Sequence, residues 1–245
     1  MKEVFYKDLG RMAYSECWDL QRSLFERMLA AKASAADVQQ PESNPDMAGW
    51  LLLVEHNPVY TLGKSGKSSN MLVTEEYLRS IGAEFFHIDR GGDVTYHGPG
   101  QIVGYPILDL ERLGIGLRDY IDSLEQAIIE VCAMWGVEAG RIKGASGVWI
   151  DPEGLRPRKI CAIGVRASRY VTMHGFAMNV ATDLRYFSHI NPCGFVDRTA
   201  TSMEKELGEK VDVAVVKERL LSNLSKKIDV NKINTKRLCQ LTNVG

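Results

Sequence analysis

The sequence predicts an α/β fold of the α+β kind, a mixed β-sheet with flanking helices. Three stretches carry that expectation. Trp50 to Glu55 (WLLLVE) is a continuous apolar run suited to a strand covered on both faces. From Leu117 to Trp135 the residues Leu117, Ile121, Leu124, Ile128, Val131 and Trp135 recur at helical intervals. Gly147–Ile150, the turn Asp151–Gly154 and Lys159–Ala167 read as strand, turn and strand, and Val171–Val180 adds another strand. Strands in runs, broken by a few long helices, imply a sheet of mixed direction in one domain over 1–245.

The other elements follow in order. Val4-Phe5-Tyr6 is a short opening strand, and Tyr14, Trp18, Phe25, Met28 and Leu29 mark a helix from Tyr14 to about Ala33. Ser34 to Gly49, with Pro41, Asn44 and Pro45, is a polar loop. Between Leu62 and Asn70 two GKS triplets suggest a phosphate-binding loop, which requires Gly five positions before the Gly of GK[ST]. Pro58 and Thr61 occupy those positions, so the segment reads as a loop beside the site. Thr74–Ser80 is a short helix, Val213–Leu224 a longer one, and the chain after Asn231 is mostly polar.

Composition narrows the class. The 245 residues are 45% hydrophobic and carry a net charge of −1, which disfavours a general nucleic-acid binder. No apolar run is long enough to span a bilayer, and the first residues do not resemble a secretory signal. Cys17, Cys132, Cys161, Cys193 and Cys239 are odd in number, scattered and without a C-x-x-C pair. That is the pattern of reduced thiols, and a cytoplasmic location is expected.

The chemistry concentrates in RGGDVTYHGPGQIVGYP, Arg90 to Pro106. Gly91, Gly92, Gly98, Gly100 and Gly104 surround Asp93, Tyr96 and His97, between the strands Glu84–Asp89 and Ile102–Leu108. Glycine-rich backbone turns sharply or lets a ligand approach closely, and the plainer reading is a hairpin with a glycine-rich turn. Cys193 stands in INPCG, on an Asn-Pro turn beside Gly194, whereas Cys161 and Cys132 read as core. A thiol acts as thiolate and needs a cation or base nearby. Lys159, His97 and His174 are the candidates, each with a structural alternative: a solvated lysine at a strand entrance, or a satisfied histidine. His189 and Cys193 lie four apart, but Pro192 breaks any helix between them and no second pair completes a zinc site, so no metal is expected.

Three blocks resemble one family. RGGDVTYHGPGQ (Arg90–Gln101), KICAIGVRASRYVTMHGFAMNV (Lys159–Val180) and INPCG (Ile190–Gly194) are similar to the motifs of the lipoyl(octanoyl) transferases, as is PVYTLG (Pro58–Gly63). The resemblance runs from about Trp50 to Thr201. It implies the catalytic fold shared with biotin and lipoate protein ligases. It also implies transfer of an octanoyl group from octanoyl-acyl carrier protein to a lysine of a lipoyl domain, without a cofactor. The acceptors it implies are the lipoyl domains of 2-oxoacid dehydrogenase complexes and the glycine cleavage H protein, served by a monomer.

On this chain the family's nucleophile falls on Cys193 and its partner lysine on Lys159. The acyl-binding residues fall on Arg90, Gly91, Gly92, Asp93, Val94, Thr95, Tyr96 and His97. They continue at Ala162, Ile163, Gly164, Gly175, Phe176 and Ala177. Tyr96, Ile163 and Phe176 are then expected to line an apolar slot, and backbone N–H groups of Gly91-Gly92 or Gly194 to hold an oxyanion. Arg141, Lys143, Arg156, Arg158, Arg166 and Arg169 suggest a basic surface for an acidic carrier, or a solvated face. The alternatives are an ATP-dependent lipoate–protein ligase, which needs no cysteine, and a non-catalytic scaffold, which would need none of Cys193, Lys159 and His97.

Overall fold

The computed structural model describes residues 2–35, 47–191, 199–228 and 232–234. Its centre is the run read from the sequence as a buried strand. Met47–His56 forms β2, with every residue from Ala48 to Val54 buried. A large sheet is ordered around it as β12-β1-β2-β6-β10-β9-β8-β7, with β11 beside β9. The strands are β1 (Glu3–Met12), β6 (Gln101–Leu108), β7 (Ala139–Ile142), β8 (Ala145–Ile150), β9 (Arg158–Ser168), β10 (Val171–Asn179), β11 (Thr199–Ala200) and β12 (Lys232–Asn234). β1 runs parallel to β2 and β12, and β11 parallel to β9, while the pairs β2–β6, β6–β10, β10–β9, β9–β8 and β8–β7 are antiparallel. The sheet is mixed, as expected.

Both faces are covered, which is why β2 and β6 carry apolar residues without alternation. On one face lie α4 (Leu117–Met134) and α6 (Val213–Lys227), which bury Leu124, Ile128, Val131, Leu220 and Leu224 against Ile102, Phe176 and Met178. On the other lies α1 (Tyr14–Ala35), where Cys17, Leu24, Phe25 and Met28 meet Trp50, Leu52, Val103, Tyr105 and Ala177. α1 continues through Ala35 and β2 begins at Met47, so the loop expected over Ser34–Gly49 is shorter at both ends.

Of a second sheet, β4-β3-β5, only β4 was read from the sequence, as the strand over Glu84–Asp89. β3 (Val59–Leu62) pairs parallel with β4 (Glu84–His87) and antiparallel with β5 (Val94–His97). The Arg90–Pro106 stretch is therefore no simple hairpin: its middle is a strand of this small sheet and its end a strand of the large one. α2 (Glu75–Ser80) follows Thr74, whose hydroxyl caps it by accepting from the Tyr77 N–H. Two short helices, α3 (Leu110–Leu113) and α5 (Met203–Leu207), complete the order. Among the described residues no helix is long and apolar enough to cross a membrane.

Candidate active site

Between the two sheets lies a cavity of about 910 Å³. Its floor is the α1-side face of β6, β10 and β9, and the register explains why space is left there. Gly175 pairs with Gly164 and Ala177 with Ala162 across β10 and β9, and Ala177 pairs with Val103 across β6. Small residues thus meet in adjacent strands, so the sheet surface is bare of long side chains.

The glycines also admit neighbouring backbone. A Cβ on Gly164 would stand 2.9 Å from the Gly91 carbonyl oxygen, and one on Gly175 would stand 2.2 Å from that of Gly104. The Arg90–Gly91 segment therefore crosses directly over Gly164, and the Gly91 N–H donates to the Val165 carbonyl at 3.0 Å. That donor is taken, which removes Gly91 from the expected oxyanion donors. Gly194 lies outside the described residues.

Arg90 is buried at 8% exposure, its guanidinium donating to the Thr61 carbonyl (2.8 Å), the Thr61 hydroxyl (3.0 Å) and the Gly91 carbonyl (3.0 Å). It ties the glycine turn to β3. Arg90, Gly91, Gly92, Asp93, Val94, Thr95 and His97 all line the cavity, as do Ala162, Ile163, Gly164, Gly175, Phe176 and Ala177. Tyr96 does not. Alternation along β5 turns its ring away, where it stacks on Tyr186 with centroids 4.6 Å apart and packs against Tyr60 and Phe187. Its expected place in the slot is corrected accordingly.

Lys159 opens β9 at the cavity's edge. Its ammonium donates to the Ser146 carbonyl at 3.2 Å and stands 4.4 Å from the centre of the Trp149 ring, a cation–π contact. The start of β8, which presents Ser146, is itself held from behind: the Gly147 N–H donates to Glu125 at 2.9 Å, and Glu125 pairs with Arg141 at 2.8 Å. Cys193 lies outside the described residues. Asn191 and Thr199, on either side of that segment, both line the cavity. Asn191 is held by its N–H to the Asn70 carbonyl at 2.8 Å, and Ala200 pairs with Lys159 itself.

The buried histidines differ in setting. His97 stacks on Tyr14 with centroids 6.1 Å apart, and its Nδ1 lies 2.8 Å from Gln101 Oε1. Burial, reinforced by His56, pushes its pKa down to about 3. His56, sealed between the Met12 carbonyl (3.0 Å) and the Tyr105 hydroxyl (2.8 Å), is lowered by burial to about 4. His174 has φ of +61°, a left-handed conformation within a strand. Its ring bonds Asp89 at 2.9 Å, and Asp89 also pairs with Arg166. Burial lowers the pKa of His174, while that hydrogen bond draws Asp89 below the usual carboxylate range.

Residues 13–225 match the family model of the lipoyl protein ligase A/B catalytic domain. An octanoyltransferase of Bacteroides fragilis is 56% identical over 213 residues, spanning 87% of this chain and 92% of that protein. Another, of Bacteroides thetaiotaomicron, is 49% identical over 232 residues, spanning 95% and 98%. The chain belongs to the octanoyltransferase family.

As an octanoyltransferase it is an acyltransferase, and the fold has solved counterparts. A chain from an archaeal lipoylation system of Thermoplasma acidophilum, described with a bi-partite lipoate protein ligase, aligns at a TM-score of 0.65 and 14% identity, over 96% of this chain and 86% of that one. Lipoate-protein ligase A bound with ATP aligns at 0.64 and 13%, over 96% and 88%. At such identities the likeness is one of fold alone.

Three of the basic residues near Lys159 have acidic partners. Arg141 is paired with Glu125, Arg158 with Glu206 at 2.9 Å, and Arg166 with Asp89. Lys143, Arg156 and Arg169 are exposed. The residues that sequence reasoning missed are amides: Asn70, Gln101 and Asn179. Gln101 falls inside the glycine-rich stretch, a signal that was available.

Proposed function

We propose that this chain takes an octanoyl group from octanoyl-acyl carrier protein, carries it as a thioester on Cys193 and delivers it to a lysine ε-amine of a lipoyl domain. The observation that supports this most is an ammonium, Lys159, at the edge of a cavity whose floor is paved with Gly164, Gly175, Ala162 and Ala177. An apolar slot with a cation at its edge suits an acyl chain whose reacting end needs a thiolate. The sequence motifs assign the thiolate to Cys193, and the relatives act on octanoyl groups by name.

In the first step the Cys193 thiolate adds to the thioester carbonyl, and collapse expels the carrier's thiolate, which takes a proton from the Lys159 ammonium and leaves that amine neutral. In the second, the lysine amine adds to the new thioester, Cys193 leaves as thiolate, and the amine's surplus proton passes to Lys159 in its neutral form. Both steps exchange one acyl bond for another, so the donor thioester supplies the driving force.

The test is the intact mass of the protein after incubation with octanoyl-acyl carrier protein and no ATP, for the wild type and Cys193→Ala. The expected result is an octanoyl adduct on the wild type alone, released by hydroxylamine. No adduct without ATP, but modification of a lipoyl domain once ATP and free octanoate are supplied, would overturn the reading in favour of a ligase.

A further inference from the structure

Lining the cavity is a chain of amides whose proton positions are fixed by two backbone carbonyls. Asn179 Nδ2 lies 2.9 Å from the Thr201 carbonyl, which can only accept, so that atom is the donor. Asn179 Oδ1 therefore faces Gln101 Nε2, at 2.8 Å. Gln101 Nε2 also donates to the Tyr96 carbonyl at 3.1 Å, which uses its second hydrogen and points Oε1 toward His97. An amide oxygen only accepts, so His97 Nδ1, 2.8 Å away, carries the ring's proton.

Nε2 of His97 is then bare. It bonds no described residue, yet it is not among the polar atoms sealed from solvent, and the ring lines the cavity. The relay is also anchored beside Lys159, because the Thr201 N–H donates to the Lys159 carbonyl at 3.0 Å. Gln101, Asn179 and Thr201 are all buried, so water does not compete for these bonds.

We propose that Gln101 and Asn179 are positioning residues that lock His97 in the Nδ1–H tautomer, so that its Nε2 serves as a fixed hydrogen-bond acceptor for an N–H or O–H group of the reactants. Burial and the groups facing the ring leave it neutral: His56, Arg90 and His174 all disfavour a second proton and outweigh the Gln101 bond, which favours one, and Tyr14 stacks on the ring. His97 is thus an acceptor that does not carry protons away, a role distinct from that of Lys159. The assignment rests on the reading above only in naming the reactants; the tautomer stands on the geometry.

Nitrogen-15 NMR of the histidine-labelled protein reads the tautomer directly. The expected wild-type spectrum shows His97 with a protonated Nδ1 and a bare Nε2, unchanged from pH 8 to about 5. In Asn179→Ala, Gln101 loses the shorter of the two bonds that orient it, 2.8 Å to Asn179, and keeps only the 3.1 Å bond to the Tyr96 carbonyl. A protonated Nε2 should then appear, with kcat lower by about tenfold, the worth of one hydrogen bond made in the transition state, and little change in KM. A wild-type Nε2–H tautomer, or a His97 that titrates near its ordinary value, would overturn the proposal without any substitution. So would an Asn179→Ala protein that keeps both the Nδ1–H signal and wild-type kcat. If acyl transfer proves to require ATP while the Nδ1–H signal is present, the transferase reading fails and the lock stands.

Discussion

Ala162→Leu is expected to shorten the acyl chain that the protein accepts. The floor is ordered in ranks across the strands: Gln101 with Asn179, then Val103 with Ala177 and Ala162, then Gly175 with Gly164. From the Asn179 rank to the Gly175 rank is four residues of strand, about 13 Å. An extended eight-carbon chain, with bonds of about 1.5 Å at tetrahedral angles, measures roughly 9 Å. With its reacting end toward Lys159 and its tail toward the Arg90–Gly91 crossing, it covers about two thirds of that length and passes the middle rank. A leucine at 162 stands in the middle rank and displaces about four methylenes. At about 0.8 kcal/mol each that is some 3 kcal/mol, or roughly two orders of magnitude in kcat/KM for octanoyl. A butanoyl group stops short of the obstruction and loses little. The assay compares butanoyl, hexanoyl and octanoyl thioesters against one acceptor domain, for wild type and variant. A drop of equal size at all three lengths would refute the placement of the chain along these ranks.

Two further outcomes follow from buried polar groups. Glu125→Ala removes the acceptor of the Gly147 N–H and the partner of Arg141, and should cost about 2–3 kcal/mol in urea unfolding. Because the same end of β8 presents the Ser146 carbonyl to Lys159, turnover should fall as well, and lost stability with intact turnover would separate the two. His56 and His97, with folded pKa values of about 4 and about 3, refuse protons that the unfolded chain binds below about pH 6.5. The unfolded state therefore gains on acidification, and these two residues together should remove stability on the order of 4 kcal/mol by pH 5. Replacing His56 with Gln should roughly halve that acid loss in equilibrium unfolding, and an unchanged pH slope would show that His56 is not held neutral.

What the sequence disclosed follows physical scale. α4 and β2 were legible because burial imposes a period or an unbroken apolar run on many consecutive residues. β1 extends to Met12 although Lys7, Asp8, Gly10 and Arg11 are polar, because pairing with β2 sustains it through an irregularity between Asp8 and Arg11. β3 is four residues long, too short for any period, and exists through partners supplied by β4 and β5. In the site, Lys159 and His97 stood out by residue type. Gln101 and Asn179 gain their meaning only from each other, across 78 positions of sequence. The acidic partners of Arg141, Arg158 and Arg166 were hidden for the same reason, since a charge is visible in sequence and its partner is not.

The cavity is in the end a property of strand register. Along β10 the cavity floor carries Gly175, Ala177 and Asn179, while Phe176, which also reaches the cavity's lining, and Met178 pack in the core under α4 and α6. Beyond the left-handed His174 the residues from Gly175 to Asn179 alternate between faces, so a slip of one residue would set Phe176 and Met178 on the floor and fill the space an acyl chain requires. The register is fixed by the opposite face. Phe176 pairs with Gly104 across β6, and its ring lies where a Cβ on Gly104 would be, 2.1 Å from the nearest ring carbon. An aromatic ring seated on a cross-strand glycine fits at that one pairing and at no neighbour, because Val103 and Tyr105 flank the glycine. The core side of the sheet thus decides which residues pave the cavity, and Gly104, which touches no reactant, holds the slot open from beneath.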